Sequence, residues 1–380
     1  MKKILHISET FQGGGAEAVF RDTLEISKKL GFINNYYVSK GKISPFSYIY
    51  SFGSYFELKK KLLDLKPDII HIHNYYHFLT PSILQAIKNY KKQNTCKVVF
   101  TAHDYHLICP NSALQFFEGK KRKNFSNFEN DVLFTKKFDH RTWLHSTLKL
   151  LQFLLGYKVL NLNEVIDIII SPSNFLRDTF LNYGVTTKIK MIRNPAIFSE
   201  IKKASNDKNK KYIDIVFLGR LSPEKGILEF IDILEYHSEL KINFHIYGHG
   251  EIESELIKKM VNLRDGLNIT LHGFVENKKV LEIISGYDIF VLPSLWYENA
   301  PLSIIEAAIA GLPVMVPNVG GLIEMASLSK YYFPIDLSGD NIDSMLLKAF
   351  KHTGDNSILD ESIFSHEKYM EEIFDIYTKD

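Results

Sequence analysis

The chain has 380 residues, of which 45% are apolar, and its 46 basic and 44 acidic residues leave a net charge of +2. This length is typical of two globular domains, and the small net charge argues against a general nucleic-acid binder, which carries a basic excess. Two cysteines, Cys96 and Cys109, are too few for a disulfide framework and match no metal-ligand spacing. A reducing compartment is therefore expected.

No segment has the length and composition of a membrane anchor. The apolar run at residues 4–8 is too short for a signal-peptide core, and His6 and Glu9 interrupt it. Residues 144–160 are the most lipid-like segment, but several polar side chains break the run, and a spanning helix needs about 20 mostly apolar residues. The sequence predicts a cytoplasmic protein, soluble or attached only at the inner membrane surface.

Short apolar runs alternate with longer amphipathic runs along the whole chain. Strands are predicted at residues 3–8, 68–73, 98–102, 166–171, 189–192, 214–219, 242–247, 268–272, 289–293 and 314–317. Helices are predicted at residues 16–30, 81–91, 227–236, 252–263, 278–285 and 301–310. Alternating strands and helices indicate an α/β protein with parallel sheets covered on both faces.

A polar stretch at residues 202–211 separates two such alternating halves and is interpreted as a linker. We predict a first doubly wound, Rossmann-like domain over residues 1–195, a second over 196–357, and a C-terminal helix within 358–380 that packs back on the first domain. The two domains are expected to face a cleft, because ligands of such sheets bind beyond the carboxyl ends of the strands.

Two glutamates stand out in the second half. Glu298 falls in a loop after a predicted strand, and Glu306 lies inside the next helix, where Pro301 is expected as the first helical residue and Gly311 just after the last. Glu306 is the only polar residue between Ile304 and Ala310, so its carboxylate should have a partner. Either both acids bind ligand hydroxyls, or they are a solvated loop acid and a structural acid.

Residues 293–307 resemble the paired-glutamate signature of retaining glycosyltransferase family 4, which has the GT-B fold. The resemblance implies that Glu298 contacts the donor sugar and Glu306 the ribose of a nucleotide sugar. It also implies donor contacts from the connecting segment, assigned here to Asn299, Ala300 and Leu302. Pro301 departs from the glycine-rich stretch of many members and has no N–H to donate.

The segment from Gly219 to Gly226 follows a predicted strand and precedes a helix. Arg220 can bind phosphate oxygens through two parallel hydrogen bonds, and Lys225 adds a compact positive charge. The family resemblance places the diphosphate-binding Arg and Lys here, with Gly219 beside them. The alternative is a surface turn that carries an Arg–Glu pair. Because the chain has no Asp-x-Asp triplet, we expect no metal or other cofactor, and these cations would offset the charge of the leaving diphosphate.

Three further elements of the site are predicted. Gly14 and Gly15 belong to a glycine loop after the first strand, where backbone could approach phosphate or acceptor; a tight turn is the alternative. By resemblance His103 contacts the donor sugar, and Phe274 and Val275 pack on the nucleotide base; a plain strand end is the alternative for the latter pair. Five histidines cluster between residues 71 and 106, and ordinary buried histidines are favoured over a zinc site.

The run Lys120, Lys121, Arg122 and Lys123, with phenylalanines beside it, is interpreted as a basic loop. It could contact an anionic membrane or a lipid diphosphate, although such runs are often merely solvated.

The family resemblance implies a metal-independent, retaining glycosyltransferase. It would move a sugar from a UDP- or GDP-sugar to a hydroxyl of a growing, lipid-linked bacterial surface polysaccharide such as a lipopolysaccharide O-antigen. Two alternatives remain open: a nucleotide-sugar 2-epimerase of the same fold, and a non-catalytic sugar-nucleotide-binding protein. An epimerase would interconvert nucleotide sugars without an acceptor.

Overall fold

A computed structural model describes residues 1–39, 41, 45–119, 121–125, 133–196, 210–355 and 358–379. The chain divides into two compact units. Unit 1 comprises Met1–Asn194 and His366–Asp380, and unit 2 comprises Pro195–Ser365. The predicted linker at 202–211 falls mostly outside the described residues. Among the described helices, none is both long and apolar enough to cross a membrane.

Unit 1 contains a six-stranded parallel sheet in the order β2-β1-β3-β4-β7-β8. Its elements in chain order are β1 (Lys3–Ser8), α1 (Gly15–Lys29), β2 (Ile33–Val38), α2 (Pro45–Ile49), α3 (Phe52–Leu65), β3 (Ile69–Ile72), α4 (Ser82–Lys91), β4 (Lys97–Thr101), β5 (Gln115–Glu118), β6 (Lys121–Asn124), α5 (Trp143–Phe153), β7 (Ile168–Ser171), α6 (Asn174–Asn182) and β8 (Lys188–Met191). The central strands β3 and β7 are buried on both faces, as expected of a sheet covered by helices on each side.

Unit 2 contains a second six-stranded parallel sheet in the order β11-β10-β9-β12-β13-β14. Its elements are β9 (Ile213–Leu218), α7 (Ile227–Tyr236), β10 (Ile242–Tyr247), α8 (Glu253–Lys259), β11 (Leu267–Gly273), α9 (Asn277–Ile284), β12 (Ile289–Val291), α10 (Leu302–Ile309), β13 (Val314–Pro317), α11 (Gly320–Ala326), β14 (Tyr332–Ile335) and α12 (Ile342–Phe350). Helix α7 shows why these segments fold as they do. It buries Ile227, Phe230, Ile231 and Leu234, which recur at the spacing of one helical face.

The last helix, α13 (His366–Thr378), belongs to unit 1. Tyr369, Ile373 and Tyr377 on its buried face join the core formed by the central strands. The Tyr369 hydroxyl forms a 2.7 Å hydrogen bond with Thr23 of α1, and the Tyr377 hydroxyl lies 2.6 Å from Nδ1 of His71. The helix therefore covers one face of the unit 1 sheet.

Two sequence expectations about local structure are wrong. Pro301 is the N-cap of α10 rather than its first helical residue, because its ψ of 113° is extended. Lys121, Arg122 and Lys123 lie on strand β6 of the antiparallel β5–β6 hairpin rather than on a loop, and Lys120 lies outside the described residues. The hairpin was not apparent because its second strand reads Lys-Arg-Lys-Asn and has no apolar alternation.

Candidate functional site

The predicted donor-site residues of unit 2 lie at the carboxyl ends of its strands. From β9 the chain adds β10 and β11 on one side, and then β12, β13 and β14 on the other. The sheet thus has a topological switch point between β9 and β12, which is where open α/β sheets bind ligands. The loop after β9 carries Arg220 and Lys225, and the loop after β12 carries Glu298.

Lys225 and Glu298, 73 residues apart in the chain, meet at this switch point. The Lys225 ammonium donates to Oε1 of Glu298, and the Ser294 hydroxyl donates to the same oxygen at 2.6 Å. Both partners are poorly accessible, with 14% of the Lys225 side chain and 8% of the Glu298 side chain exposed. The Lys225 ammonium also lies 5.6 Å from the centre of the Trp296 ring. The pair is therefore an ion pair in a low-dielectric setting with fixed geometry.

Arg220 forms an ion pair with Glu224 at 3.0 Å, as in the alternative reading of this turn. Glu224 is buried and also accepts a 2.7 Å hydrogen bond from the Ser222 hydroxyl. The Arg220 side chain is 66% exposed, so its guanidinium, which has five N–H donors, also faces solvent. Glu224 thus orients a cation that remains accessible to an anion.

Backbone contacts hold the two loops together. The N–H of Leu295 donates to the carbonyl of Glu224 at 2.8 Å. Gly226 has a φ of +68°, and a Cβ there would lie 2.1 Å from the carbonyl oxygen of Pro293. Only glycine fits at this position, because any side chain would collide with main chain and favour another φ. The spacing between Lys225 and Glu298 is therefore set by main-chain packing.

Glu306 lies in the second turn of α10 and is half-buried. Burial raises the pKa of its carboxyl to about 7. The sequence predicts a partner for this carboxyl group, and no described residue forms a hydrogen bond or ion pair with it. A half-buried carboxyl without a protein partner is well suited to accept hydrogen bonds from a ligand.

The remaining predicted residues of unit 2 follow strands β9, β11 and β12 in the chain. Gly219 directly follows β9, and its N–H donates to the carbonyl of Tyr247 at 3.1 Å. Asn299 and Ala300 lie between Glu298 and α10, and Leu302 is the first residue of that helix, whose N-terminus has no side-chain cap. In the loop after β11, Phe274 is 67% exposed while Val275 packs on the core.

In unit 1 the corresponding edge carries the glycine loop and His103. Gly14 is the N-cap of α1 and Gly15 is its first residue, so both are at the helix N-terminus. His103 follows β4 and is half-buried. Burial lowers the pKa of His103 to about 4, so its imidazole is neutral near pH 7. Burial also raises the pKa of the neighbouring Asp104 to about 6.

Four histidine rings lie side by side beneath this edge. Adjacent ring centres are 5.8 Å apart for His6 and His71, 4.3 Å for His71 and His73, and 5.8 Å for His73 and His103. Ligand atoms of the first three lie within 4.8 Å of one another. His71, however, uses both ring nitrogens, in hydrogen bonds with Tyr377 and Thr101. Neither nitrogen of His71 could therefore bind a metal unless one of these two hydrogen bonds were broken.

Three residues at these edges add to the predicted site: Glu224, which was anticipated only as the partner of Arg220 in a surface turn, and Ser294 and Glu9, which were not predicted. The first two fix the positions of Arg220 and Glu298. Glu9 follows β1, is only 3% exposed, and accepts hydrogen bonds from the main-chain N–H groups of His77 and Phe78. The available signal was an acid directly after a buried strand, where a carboxylate needs a partner.

Each of the two units matches a family model of known proteins. The family model described as Glycosyltransferase Family 4 matches residues 27–196, and the model described as Glycosyl transferases group 1 matches residues 198–334. A Klebsiella pneumoniae protein described as an uncharacterized 42.6 kDa protein in the cps region is 28% identical over 305 residues, which is 78% of this chain and 69% of that protein. An Escherichia coli UDP-Gal:α-D-GlcNAc-diphosphoundecaprenol α-1,3-galactosyltransferase is 36% identical over 112 residues, 27% of each chain.

Solved structures show the same fold. Anabaena HepE in complex with UDP and glucose aligns over 100% of both chains with a TM-score of 0.66 and 15% identity. Sucrose-phosphate synthase from Thermosynechococcus elongatus aligns over 99% of this chain and 98% of its own with a TM-score of 0.70 and 16% identity. With two parallel-sheet α/β units and both family models matched, the chain belongs to the GT-B glycosyltransferases of the group 1 and family 4 type.

Proposed function

We propose that the chain is a retaining glycosyltransferase that moves a sugar from a UDP- or GDP-sugar to a hydroxyl of a growing, lipid-linked bacterial surface polysaccharide. The observation that carries the proposal is the meeting of Lys225 and Glu298 at the switch point of unit 2. The relatives support the biological setting, since one is described by its place in a cps region and another by a diphosphoundecaprenol-linked acceptor.

Lys225 and Arg220 would bind the diphosphate of the donor. An ammonium has three N–H donors, so Lys225 can contact a phosphate oxygen while it keeps Glu298 in place. Arg220, held by Glu224 and exposed, would add two parallel hydrogen bonds to a second phosphate. Glu306 would accept hydrogen bonds from the ribose hydroxyls, and Phe274 and Val275 would pack on the base.

Glu298 would accept a hydrogen bond from a hydroxyl of the transferred sugar, assisted by its negative charge. Main-chain groups of Asn299, Ala300 and Leu302 would complete this part of the site. By the family resemblance, His103 is also proposed to contact the donor sugar. A neutral imidazole at His103 can donate or accept a hydrogen bond, which suits contact with a sugar hydroxyl.

In the reaction the bond between the anomeric carbon and the diphosphate oxygen breaks, and a bond from the acceptor oxygen to the same face of that carbon forms. The acceptor's proton passes to the departing diphosphate. The two cations and the N-terminus of α10 would offset the negative charge that develops there, which is how preorganised groups lower a barrier of this kind. No metal is needed in this scheme, because fixed cations do this work.

Gly14 and Gly15 would let the acceptor or a phosphate approach the backbone of unit 1. Attachment to the inner membrane surface would use the β5–β6 hairpin and α5. Lys121 and Lys123 are exposed there, Phe134 is 73% exposed, and Trp143 is 60% exposed. Cations beside exposed aromatic side chains suit a layer of anionic lipid.

A thermal-shift screen with UDP, GDP, ADP and their sugars tests the donor site. One base should raise the melting temperature, since a ligand at 100 times its Kd stabilises by about 2.7 kcal/mol. The Arg220→Ala variant should lose about half of this stabilisation. The control Lys259→Ala, which removes a partly exposed ion pair elsewhere in unit 2, should keep it. The proposal fails if no nucleotide stabilises the protein.

Co-sedimentation with phosphatidylglycerol vesicles tests the membrane surface. Binding should weaken with added salt and with Lys121, Arg122 and Lys123 replaced by glutamine. Equal pelleting with neutral phosphatidylcholine vesicles would refute the electrostatic attachment.

A further inference from the structure

Glu9 lies where the unit 1 sheet changes direction. The chain places β2 on one side of β1 and then β3, β4, β7 and β8 on the other, so the switch point lies between β1 and β3. Glu9 is the first residue after β1 and is 3% exposed. A carboxyl group is therefore buried at the position where an α/β sheet of this kind receives a ligand.

The hydrogen bonds of Glu9 join the ends of three neighbouring strands. Its Oε1 accepts the N–H of Phe78 at 2.6 Å and the N–H of His77, both in the loop after β3. Its own carbonyl accepts the N–H of Ser39, just after β2, at 3.1 Å. One residue thus connects the loops that follow β1, β2 and β3.

These contacts depend on the length of the side chain more than on its charge. A single oxygen receives two consecutive main-chain N–H groups, so it must reach a defined point in the loop after β3. A buried N–H without an acceptor costs free energy, so the loop would rearrange if the oxygen were withdrawn. The same edge carries Gly14, Gly15 and His103, the residues of unit 1 placed in the reaction above.

The geometry points to Glu9 as a positioning residue that fixes the edge of unit 1 where the acceptor binds. This inference rests on the proposed transferase function and adds to it: Glu9 acts through the loop after β3 rather than by contact with the reacting atoms. The shape of the acceptor site would then depend on a side chain that no substrate needs to touch.

Three substitutions at Glu9 distinguish the effect of side-chain length from the effect of charge. Glu9→Gln keeps the length and an oxygen acceptor but removes the charge. Glu9→Asp keeps the charge but is one methylene shorter, and Glu9→Ala removes both. Asp68→Ala is the matched control, because the Asp68 carboxylate accepts the N–H of Lys3 at 2.7 Å at the opposite end of β1.

Transfer is measured with the UDP- or GDP-sugar selected by the thermal-shift screen and with N-acetylglucosaminyl diphosphoundecaprenol as the acceptor probe. Glu9→Asp and Glu9→Ala should raise the acceptor KM by about 10-fold or more, while the donor KM stays within about twofold. Glu9→Gln and Asp68→Ala should stay near the wild type in both constants. Amide hydrogen exchange should show faster exchange at residues 77 and 78 in Glu9→Asp and protection in Glu9→Gln.

An acceptor KM in Glu9→Asp equal to that of the wild type overturns the inference, as does a Glu9→Gln enzyme as impaired as Glu9→Asp. If Glu9→Ala does not fold, the Glu9→Asp and Glu9→Gln variants still test the positioning role of Glu9. A wild-type enzyme without transfer activity would count against the proposed function instead. In that case unchanged exchange at residues 77 and 78 in Glu9→Asp would separately overturn the role of Glu9.

Discussion

Each of the two sheets places a glutamate at its switch point, but the two carboxyl groups have different kinds of partner. In unit 2, Glu298 is paired with Lys225 and with the Ser294 hydroxyl. In unit 1, Glu9 has main-chain N–H groups as partners, and burial raises the pKa of its carboxyl to about 7. In unit 2 an anionic ligand can share the Lys225 ammonium. In unit 1 the partners are main-chain N–H groups, which a ligand cannot displace.

The side chains beneath the two switch points also differ. The unit 1 sheet carries a row of three buried histidine rings, His6, His71 and His73, next to the half-buried His103. The unit 2 core beneath Lys225 is formed by aliphatic and aromatic side chains. One fold has therefore been adapted in two ways: an edge rich in neutral polar groups in unit 1, and an edge with fixed charges in unit 2. The second is suited to a diphosphate.

The largest expected difference between the units is their response to acid: a lower pH should destabilise unit 1 more than unit 2. Burial lowers the pKa of both His6 and His103 to about 4, below the ordinary 6.5 of an unfolded chain. The unfolded state therefore takes up protons first, and stability that is complete above pH 6.5 falls as the pH drops toward 4. Each imidazole costs about 3 kcal/mol by then. Glu9, with its raised pKa, opposes this loss between pH 7 and 4.5 but does not outweigh several histidines.

The measurement is amide hydrogen exchange at pH 7 and pH 5, corrected for intrinsic rates. Protection in the strands of unit 1 should fall, while unit 2 should keep its protection, because the raised pKa of Glu306 favours the folded state as the pH falls. An equal loss of protection in both units would show that their cores respond to acid in the same way, contrary to this prediction.

Removal of Lys225 should destabilise unit 2. Lys225→Ala leaves a carboxylate that is 8% exposed without its cation, which costs about 3 kcal/mol when one partner of a buried pair is deleted. Urea unfolding measures the loss, and the double variant Lys225→Ala/Glu298→Gln should recover most of it. Lys259→Ala, at an exposed ion pair, should cost less than about 1 kcal/mol. If Lys225→Ala lowers the free energy of unfolding no more than this control does, the Lys225–Glu298 pair behaves as an exposed ion pair.

Glu298→Gln should reduce turnover by about 100-fold, because a neutral amide replaces the carboxylate that would hold the donor sugar. UDP or GDP binding, measured by calorimetry, should be unchanged or tighter, since Lys225 loses an internal competitor for phosphate. Weaker nucleotide binding together with normal turnover would reverse the assignment of Lys225 and Glu298.

Arg220→Ala should have the smallest effect. The nucleotide Kd should rise about 10-fold as a charge-assisted hydrogen bond is lost. The free energy of unfolding should change by less than about 1 kcal/mol, because the Arg220 side chain is 66% exposed and Glu224 keeps its hydrogen bond from Ser222. Arg220→Lys should recover only part of the affinity, since an ammonium cannot form two parallel hydrogen bonds. A large change in stability would indicate a structural Arg–Glu pair.

The sequence was sufficient to predict the fold class and to place Arg220, Lys225 and Glu298 after strands, because apolar periodicity shows where parallel strands end. It could not show that Lys225 contacts Glu298, since that contact depends on β9 lying beside β12. For the same reason the Glu9 contact with the loop after β3 was not foreseen. Its N–H donors are 68 and 69 residues away in the chain, and only the strand order brings them together.

Local features were missed where composition gave no signal. Pro301 was placed one residue too far into α10, because a proline fits both the cap and the first turn. The apolar neighbours of Glu306 in the sequence predict a partner for its carboxyl group, and the described part of the chain supplies none.

The most direct test of the central claim is product analysis with the wild-type protein and Glu298→Gln. Each is incubated with UDP- and GDP-sugars and with vesicles containing N-acetylglucosaminyl diphosphoundecaprenol, and lipid and nucleotide products are followed by mass spectrometry and NMR. The wild type should consume one donor, release its nucleoside diphosphate and extend the lipid-linked saccharide with retained anomeric configuration, and Glu298→Gln should do so far more slowly. Conversion of the donor to its 2-epimer without an acceptor, or transfer with inverted configuration, would contradict the account.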